Sequence, residues 1–151
     1  MKRTLRWAGS HSLRSMLGSV LHKNRPMPPD KAGVYVVSLQ PWSGAPTTTH
    51  EVIYVGSNTG GSTRFKTRIG DLIADVFGFY SIEGRIGHHS GGRRIHKWCK
   101  SNRVDPLELN VGWAIMESSM CHRCLETELY DALAPKLCVR RPPRCKEHPW
   151  V

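Results

Sequence analysis

Two tripeptides set a tyrosine beside a glycine, Gly33-Val34-Tyr35 and Tyr54-Val55-Gly56. A stretch holding Arg64 and Arg68 follows at once, and further on Glu126 sits in Leu125-Glu126-Thr127-Glu128-Leu129. These residue types suit phosphodiester hydrolysis, which needs an activated water, neutralised phosphate charge and help for the leaving oxygen. A single carboxylate on a rigid helix can hold one Mg²⁺ or Mn²⁺, which keeps several waters. An arginine offers phosphate oxygens a planar fork and stays charged. A tyrosine beside a metal and an arginine can be acidified enough to take a proton from water. Taken singly, each has a plainer reading. A strand tyrosine packs, helix arginines are solvated, and Glu126 pairs with Arg123 three residues earlier. Their order along the chain is what lifts them above those readings.

The elements that must position these residues follow from local patterns. Residues 24–32 are a proline-rich joint that no helix crosses. Gly33 to Leu39 is β-branched and aromatic, a strand. Glu51 to Gly56 is a second strand, joined to the first as an antiparallel hairpin with a long loop. From Phe65, the apolar positions Phe65, Ile69, Leu72, Ile73, Val76 and Phe77 mark one helical face. Residues 78–92 read as an irregular, glycine-rich loop holding His88 and His89. Arg93 to Lys100 reads as a short basic helix, Leu107 to Met116 as the third strand, and Cys121 to Leu133 as a helix with Leu125, Leu129 and Leu133 inward. The expected architecture is α/β, a small three-stranded mixed or antiparallel sheet flanked by helices in the order β-β-α-α-β-α. No glycine fingerprint of a dinucleotide fold follows a strand.

The chain has 151 residues, suited to one domain, with 22 Lys and Arg against 12 Asp and Glu for a net charge of +10. The excess is at the ends: residues 1–30 carry a net +5, residues 136–151 a net +4 and the stretch between only +1. Basic ends on a nearly neutral centre favour a polyanionic partner, most simply nucleic acid. No apolar run approaches the ~20 residues of a membrane span, so no membrane role is expected. The expected organisation is a basic N-terminal arm over 1–30, a catalytic domain over 31–139 and a basic, proline-rich tail over 140–151. The arm could form a basic amphipathic helix through Leu5, Leu13, Met16, Leu17 and Val20. An odd cysteine count without a secretory signal makes a reduced, cytoplasmic setting the default, with an organelle transit peptide as the lesser alternative.

The ordered set resembles the GIY-YIG nucleases, whose signature is G-[IV]-Y, then Y-[IV]-G on the next strand, then an arginine opening the first helix and a glutamate on a later one. The resemblance spans roughly residues 31–140. It implies that Tyr35 and Tyr54 are the motif tyrosines, with Tyr35 the candidate base and Tyr54 the positioner of phosphate or water. Arg68 in Phe65-Lys66-Thr67-Arg68-Ile69 matches the family arginine, with residues 60–63 as a loop insertion; Arg64 fits the usual distance from the second motif and is the alternative. Glu126 matches the metal-binding glutamate. The chain departs from the family where a His or Tyr often stands one turn after the arginine, and where Cys138 replaces an asparagine. His88 or His89 could supply the missing proton-handling group from the glycine-rich loop.

Other basic residues are candidate DNA contacts: Arg93, Arg94 and Lys97 behind Gly91-Gly92, whose backbone could approach phosphate, and Arg140, Arg141 and Arg144 in the tail. Cys121, Cys124, Cys138, Cys145 and His148 invite a zinc reading. Because 121–124 reads as continuous helix and Cys138 and Cys145 are too widely spaced, structural Zn²⁺ is not expected, and inert thiols or a pair packed near the tail are preferred. The sequence as a whole points to a divalent-metal-dependent DNA endonuclease using Mg²⁺ or Mn²⁺, acting most simply as a homodimer on DNA. The alternative is a catalytically inactive nucleic-acid-binding module on the same fold, and a zinc-stabilised adaptor is third.

Overall fold

The computed structural model describes residues 5–18, 26–58, 64–84, 89–117, 120–138, 140–143 and 145–148. Four strands, β1 (Trp7–Ser12), β2 (Gly33–Ser38), β3 (Val52–Ser57) and β4 (Asn110–Ile115), form one antiparallel sheet in the order β1-β4-β2-β3. The helices are α1 (Leu13–Gly18), α2 (Phe65–Val76), α3 (Ser90–Asn102) and α4 (His122–Leu133). The class is α/β, as the patterns indicate, and the run from β2 to α4 keeps the expected order of strands and helices.

Strand β2 lies between β4 and β3, and all six of its residues are buried. Helices cover both faces, so its sequence Gly-Val-Tyr-Val-Val-Ser shows no polar alternation. Tyr35 and Val37 face a core shared with Phe65, Ile69 and Leu72 of α2 and Ile95 of α3. Val34 and Val36 face the opposite side, where Leu125, Leu129 and Leu133 of α4 pack. Burying the α2 stripe, with Phe65 and Ile69 wholly inaccessible, contributes roughly 1.5–3 kcal/mol per large side chain.

Two expectations are corrected. Among the described residues the sheet has four strands, not three, and residues 7–12 are strand rather than amphipathic helix. This segment has weak intrinsic strand preference, so its conformation comes from pairing. β4 offers an edge, and Trp7↔Ala114 and Ser12↔Asn110 fill it. Trp42 anchors the pairing from outside. Its ring packs edge-on against Trp7 at 5.6 Å and lies where a Cβ on Gly112 would stand, 2.2 Å away. Its carbonyl accepts the Ser10 amide at 2.8 Å. Only α1, with Leu13 and Met16 buried, is helical in the described part of the arm. The candidate insertion at 60–63 and the arm's Val20 lie outside the described residues.

Helix α3 is also longer than expected. It begins at Ser90, so Gly91 and Gly92 belong to its first turn rather than to a loop. Both are buried, and a Cβ on Gly91 would stand 2.3 Å from the Tyr54 ring. One on Gly92 would stand 2.7 Å from the Leu72 carbonyl oxygen. These glycines let α3 approach Tyr54 and α2 closely, which corrects the reading of them as a phosphate-facing backbone.

Candidate active site

The two glycine-tyrosine tripeptides acquire a physical reason in the register of β2 and β3. Tyr35 stands opposite Gly56, and a Cβ on Gly56 would lie 2.3 Å from the Tyr35 hydroxyl. The phenol therefore lies across Gly56 to reach the β3 edge. Tyr54, opposite Val37, shares that face, and the two rings stack at 6.1 Å between centroids. Tyr35 is 1 % exposed, whereas Tyr54 is half-buried.

His89 completes this group. It caps the N-terminus of α3, its Nδ1 accepting the Gly92 N–H at 3.1 Å, while its own N–H donates to Asp75 Oδ2 at 2.6 Å. An accepting Nδ1 leaves the proton of the neutral ring on Nε2. That atom meets the Tyr35 hydroxyl in a short hydrogen bond, so Nε2–H donates to the Tyr35 oxygen. Burial, then the charges of Arg68 and Arg94, lower the His89 pKa to about 3, keeping the ring neutral. The Tyr35 ring stacks on Tyr54, and with its oxygen taken by His89 the Tyr35 O–H is left to turn toward that neighbour. The donors run in one direction, from the Gly92 amide through His89 to the Tyr35 oxygen.

Of the two histidines considered in the glycine-rich loop, His89 stands against both tyrosines; His88 lies outside the described residues. The signal of His89 in the sequence is a histidine followed by Ser-Gly-Gly, a capping residue ahead of a turn small enough to pack tightly.

A measurable consequence follows from the His89 environment. The unfolded chain binds a proton at this residue near pH 6.5, the folded chain only near pH 3. Between those values the unfolded state holds more protons, so folding stability falls as pH falls. We expect His89 to contribute about 1.4 kcal/mol of lost stability per pH unit across that window. His89→Asn, which keeps a capping side chain, is expected to show a shallower acid limb in urea titrations at pH 7, 5.5 and 4.5. Equal slopes in the two proteins would exclude His89 as the cause.

Beyond Tyr54, at the open edge of β3, lies a cavity of about 430 Å³ lined by Tyr54, Arg94, Glu126, Tyr130, Cys138 and Arg140, among others. Ser57, opposite Val34 on the α4 side of the sheet, donates its hydroxyl to Glu126 Oε1 at 2.5 Å. Lys136 and Leu137 extend the edge, their amides donating to the Val52 and Ile53 carbonyls at 3.3 and 2.8 Å. Arg94 reaches round from α3 and donates to the Leu137 carbonyl at 2.9 Å. Burial raises the Tyr54 pKa, the neighbouring Cys138 adds to this, and Arg94 and Arg68 oppose it. Burial also holds Tyr35 well above the ordinary phenol range, reinforced by Tyr54 and opposed by Arg68.

The candidate residues therefore separate. Tyr54 and Glu126 line the cavity, Tyr35 stacks behind Tyr54, the charge of Arg68 acts on both tyrosines, and Arg94, read as a DNA contact, joins the cavity wall. Arg64 stands exposed at the N-cap of α2, and Arg68, one turn on, is the arginine whose charge acts on both tyrosines and His89. Arg93 lies over the Tyr80 ring at 5.0 Å, and Lys97 is exposed on α3. Arg140 lines the cavity. Arg141 forms a bidentate pair with Asp131 at 2.8 and 2.7 Å, tying the tail to α4. Arg144 lies outside the described residues.

The expectation of inert thiols without structural Zn²⁺ is overturned. Cys121, Cys124, Cys145 and His148 present ligand atoms all within 4.8 Å of one another, a Cys₃His set able to hold a metal ion. Two features of the fold explain the difference. Helix α4 begins at His122, so Cys121 is an extended capping residue rather than part of a continuous helix. The second ligand pair is Cys145-x-x-His148, while Cys138 stands apart at the cavity, its thiol 3.6 Å from the Val55 carbonyl oxygen.

No protein-family model matches the chain, and no match is found among curated proteins or solved structures. Among the described residues, no helix is long and apolar enough to cross a membrane.

Proposed function

We propose that the chain is an endonuclease of GIY-YIG type that hydrolyses DNA phosphodiester bonds with one divalent cation on Glu126. The observation that carries this is the cavity at one sheet edge, lined by Tyr54 and Glu126 and rimmed by Arg94 and Arg140, with Tyr35 stacked behind Tyr54 and the charge of Arg68 acting on both tyrosines. The residues fit a hard cation: Glu126 supplies a carboxylate at the cavity wall, and the Ser57 hydroxyl fixes one of its oxygens. A cation held there with most of its waters would neutralise phosphate charge and acidify water.

The protein's own groups divide the remaining work. Arg94 and Arg68 offer permanent charge to the phosphate oxygens. Tyr54 reaches the cavity, whereas Tyr35 is enclosed, so Tyr54, ionised beforehand by loss of its own proton to solvent, takes the proton of the attacking water and ends as the phenol. The Tyr35 O–H, its oxygen already accepting from His89 Nε2–H, stabilises the Tyr54 phenolate before that transfer. This exchanges the roles suggested by the motif alone. Arg93, Lys97 and Arg140 extend the positive surface along which a DNA backbone would lie.

Incubation of the purified chain with supercoiled plasmid, in Mg²⁺, Mn²⁺ or no added metal, tests the reading. Nicked or linear product that requires added metal supports it. A salt-sensitive gel shift without cleavage on any DNA supplied would replace it with the binding-module reading.

A further inference from the structure

We infer that Cys121, Cys124, Cys145 and His148 form a structural zinc site that fastens the C-terminal segment onto the first turn of α4. The ligands divide into Cys-x₂-Cys at the start of α4 and Cys-x₂-His in the segment after the tail prolines. Tetrahedral zinc, with bonds of ~2.3 Å to sulfur and ~2.0 Å to nitrogen, sets S···S at about 3.8 Å and S···N at about 3.5 Å. The Cys121 and Cys145 sulfurs are 3.7 Å apart, and Cys145 Sγ is 3.5 Å from His148 Nδ1. A disulfide needs about 2.05 Å, and the cysteines of the cluster, like Cys138 at the cavity, are free thiols. Three thiolates and an imidazole form a soft donor set that suits zinc and not Mg²⁺ or Ca²⁺.

The surroundings support a closed site. Cys124 and Cys145 are buried, and Cys121 and His148 are half-buried. Three thiolates leave zinc with a net negative charge. Arg123, between the first two ligands in sequence, lines the pocket at the cluster and supplies a compensating cation, while Lys146 between the last two is offset by Glu147. Cys121 is the N-cap of α4, where a thiolate also gains from the helix dipole.

The site has a structural consequence. Between its two ligand pairs runs the chain that carries Glu126 and then Cys138, Arg140 and Pro142 of the cavity wall. Zinc closes this chain into a loop and holds both its ends, so the wall stands on the metal. The inference does not depend on the nuclease reading.

Metal analysis of the purified, reduced, full-length chain tests it. We expect about one zinc per chain to survive dialysis, and cobalt exchanged into the site to show the charge-transfer and visible bands of a tetrahedral thiolate complex. Cys145→Ser and His148→Ala are expected to lose the metal, while Cys138→Ser keeps it. Removing zinc from the wild type is expected to expose residues 134–148 to protease before the sheet is cut, a readout that needs no variant to fold. Absence of zinc together with no cobalt bands would overturn the inference. So would full zinc retention in Cys145→Ser, or a mass lowered by the two hydrogens of a Cys121–Cys145 disulfide.

Discussion

Glu126→Gln is expected to reduce DNA cleavage on the order of 10³-fold while leaving the gel shift within about twofold, the scale seen when one preorganised charge-stabilising group is removed. The carboxamide keeps the side-chain volume and still accepts the Ser57 hydroxyl, so the helix α4 packing of Leu125 and Leu133 is undisturbed. What is lost is the negative charge that a hard cation requires. This variant is a sharper test than chelation. A chelator would also act on the Cys₃His cluster and could slacken the cavity wall by that route. Glu126→Gln with its zinc content intact separates the two effects. Cleavage at the wild-type rate in this variant would remove Glu126 from the mechanism.

Tyr54→Phe is expected to lower kcat/KM by about 10²-fold or more, the usual contribution of a positioned proton-transfer group, and by more than Tyr35→Phe. The two phenols differ by a single oxygen from their replacements, so packing against Gly91 and Gly56 survives in both. The pH profile distinguishes a base from a mere packing residue. A base works when deprotonated, and burial raises the Tyr54 pKa above its ordinary value. Activity should therefore climb with pH and reach no plateau below about pH 10. In Tyr54→Phe that climb should flatten. In Tyr35→Phe it should remain but shift to higher pH, because the phenolate on Tyr54 loses its donor. If Tyr35→Phe instead abolishes the climb and Tyr54→Phe preserves it, the roles suggested by the motif order are restored.

Much of this molecule is legible in its sequence. The stripe from Phe65 to Val76, the β-branched run at 33–38 and the leucines of α4 each bury the face their periodicity marks, because local pattern and tertiary demand agree there. Where pattern and demand differ, the sequence misleads. Trp7–Ser12 has no strand signature and becomes a strand because the edge of β4 is available and Trp42 closes over it. Gly91 and Gly92 look like loop residues and are helical, because only hydrogen fits between α3 and Tyr54.

The site divides along the same line. The ordered motifs, through the family they resemble, are enough to nominate Tyr35, Tyr54, Glu126 and either Arg68 or Arg64. Which tyrosine meets the cavity, that His89 stands behind Tyr35, and that Arg94 belongs to the wall are questions of direction in space. They are decided by strand register and helix approach. The Cys₃His cluster shows the distinction most clearly. Its two short pairs are present in the sequence, but Cys138 is an equal competitor there. Only the turn at Cys121 and the return of the tail across α4 choose Cys145 and His148 and leave Cys138 at the cavity. A linear chain records which candidate ligands exist, and the folded one brings four of them within 4.8 Å of one another.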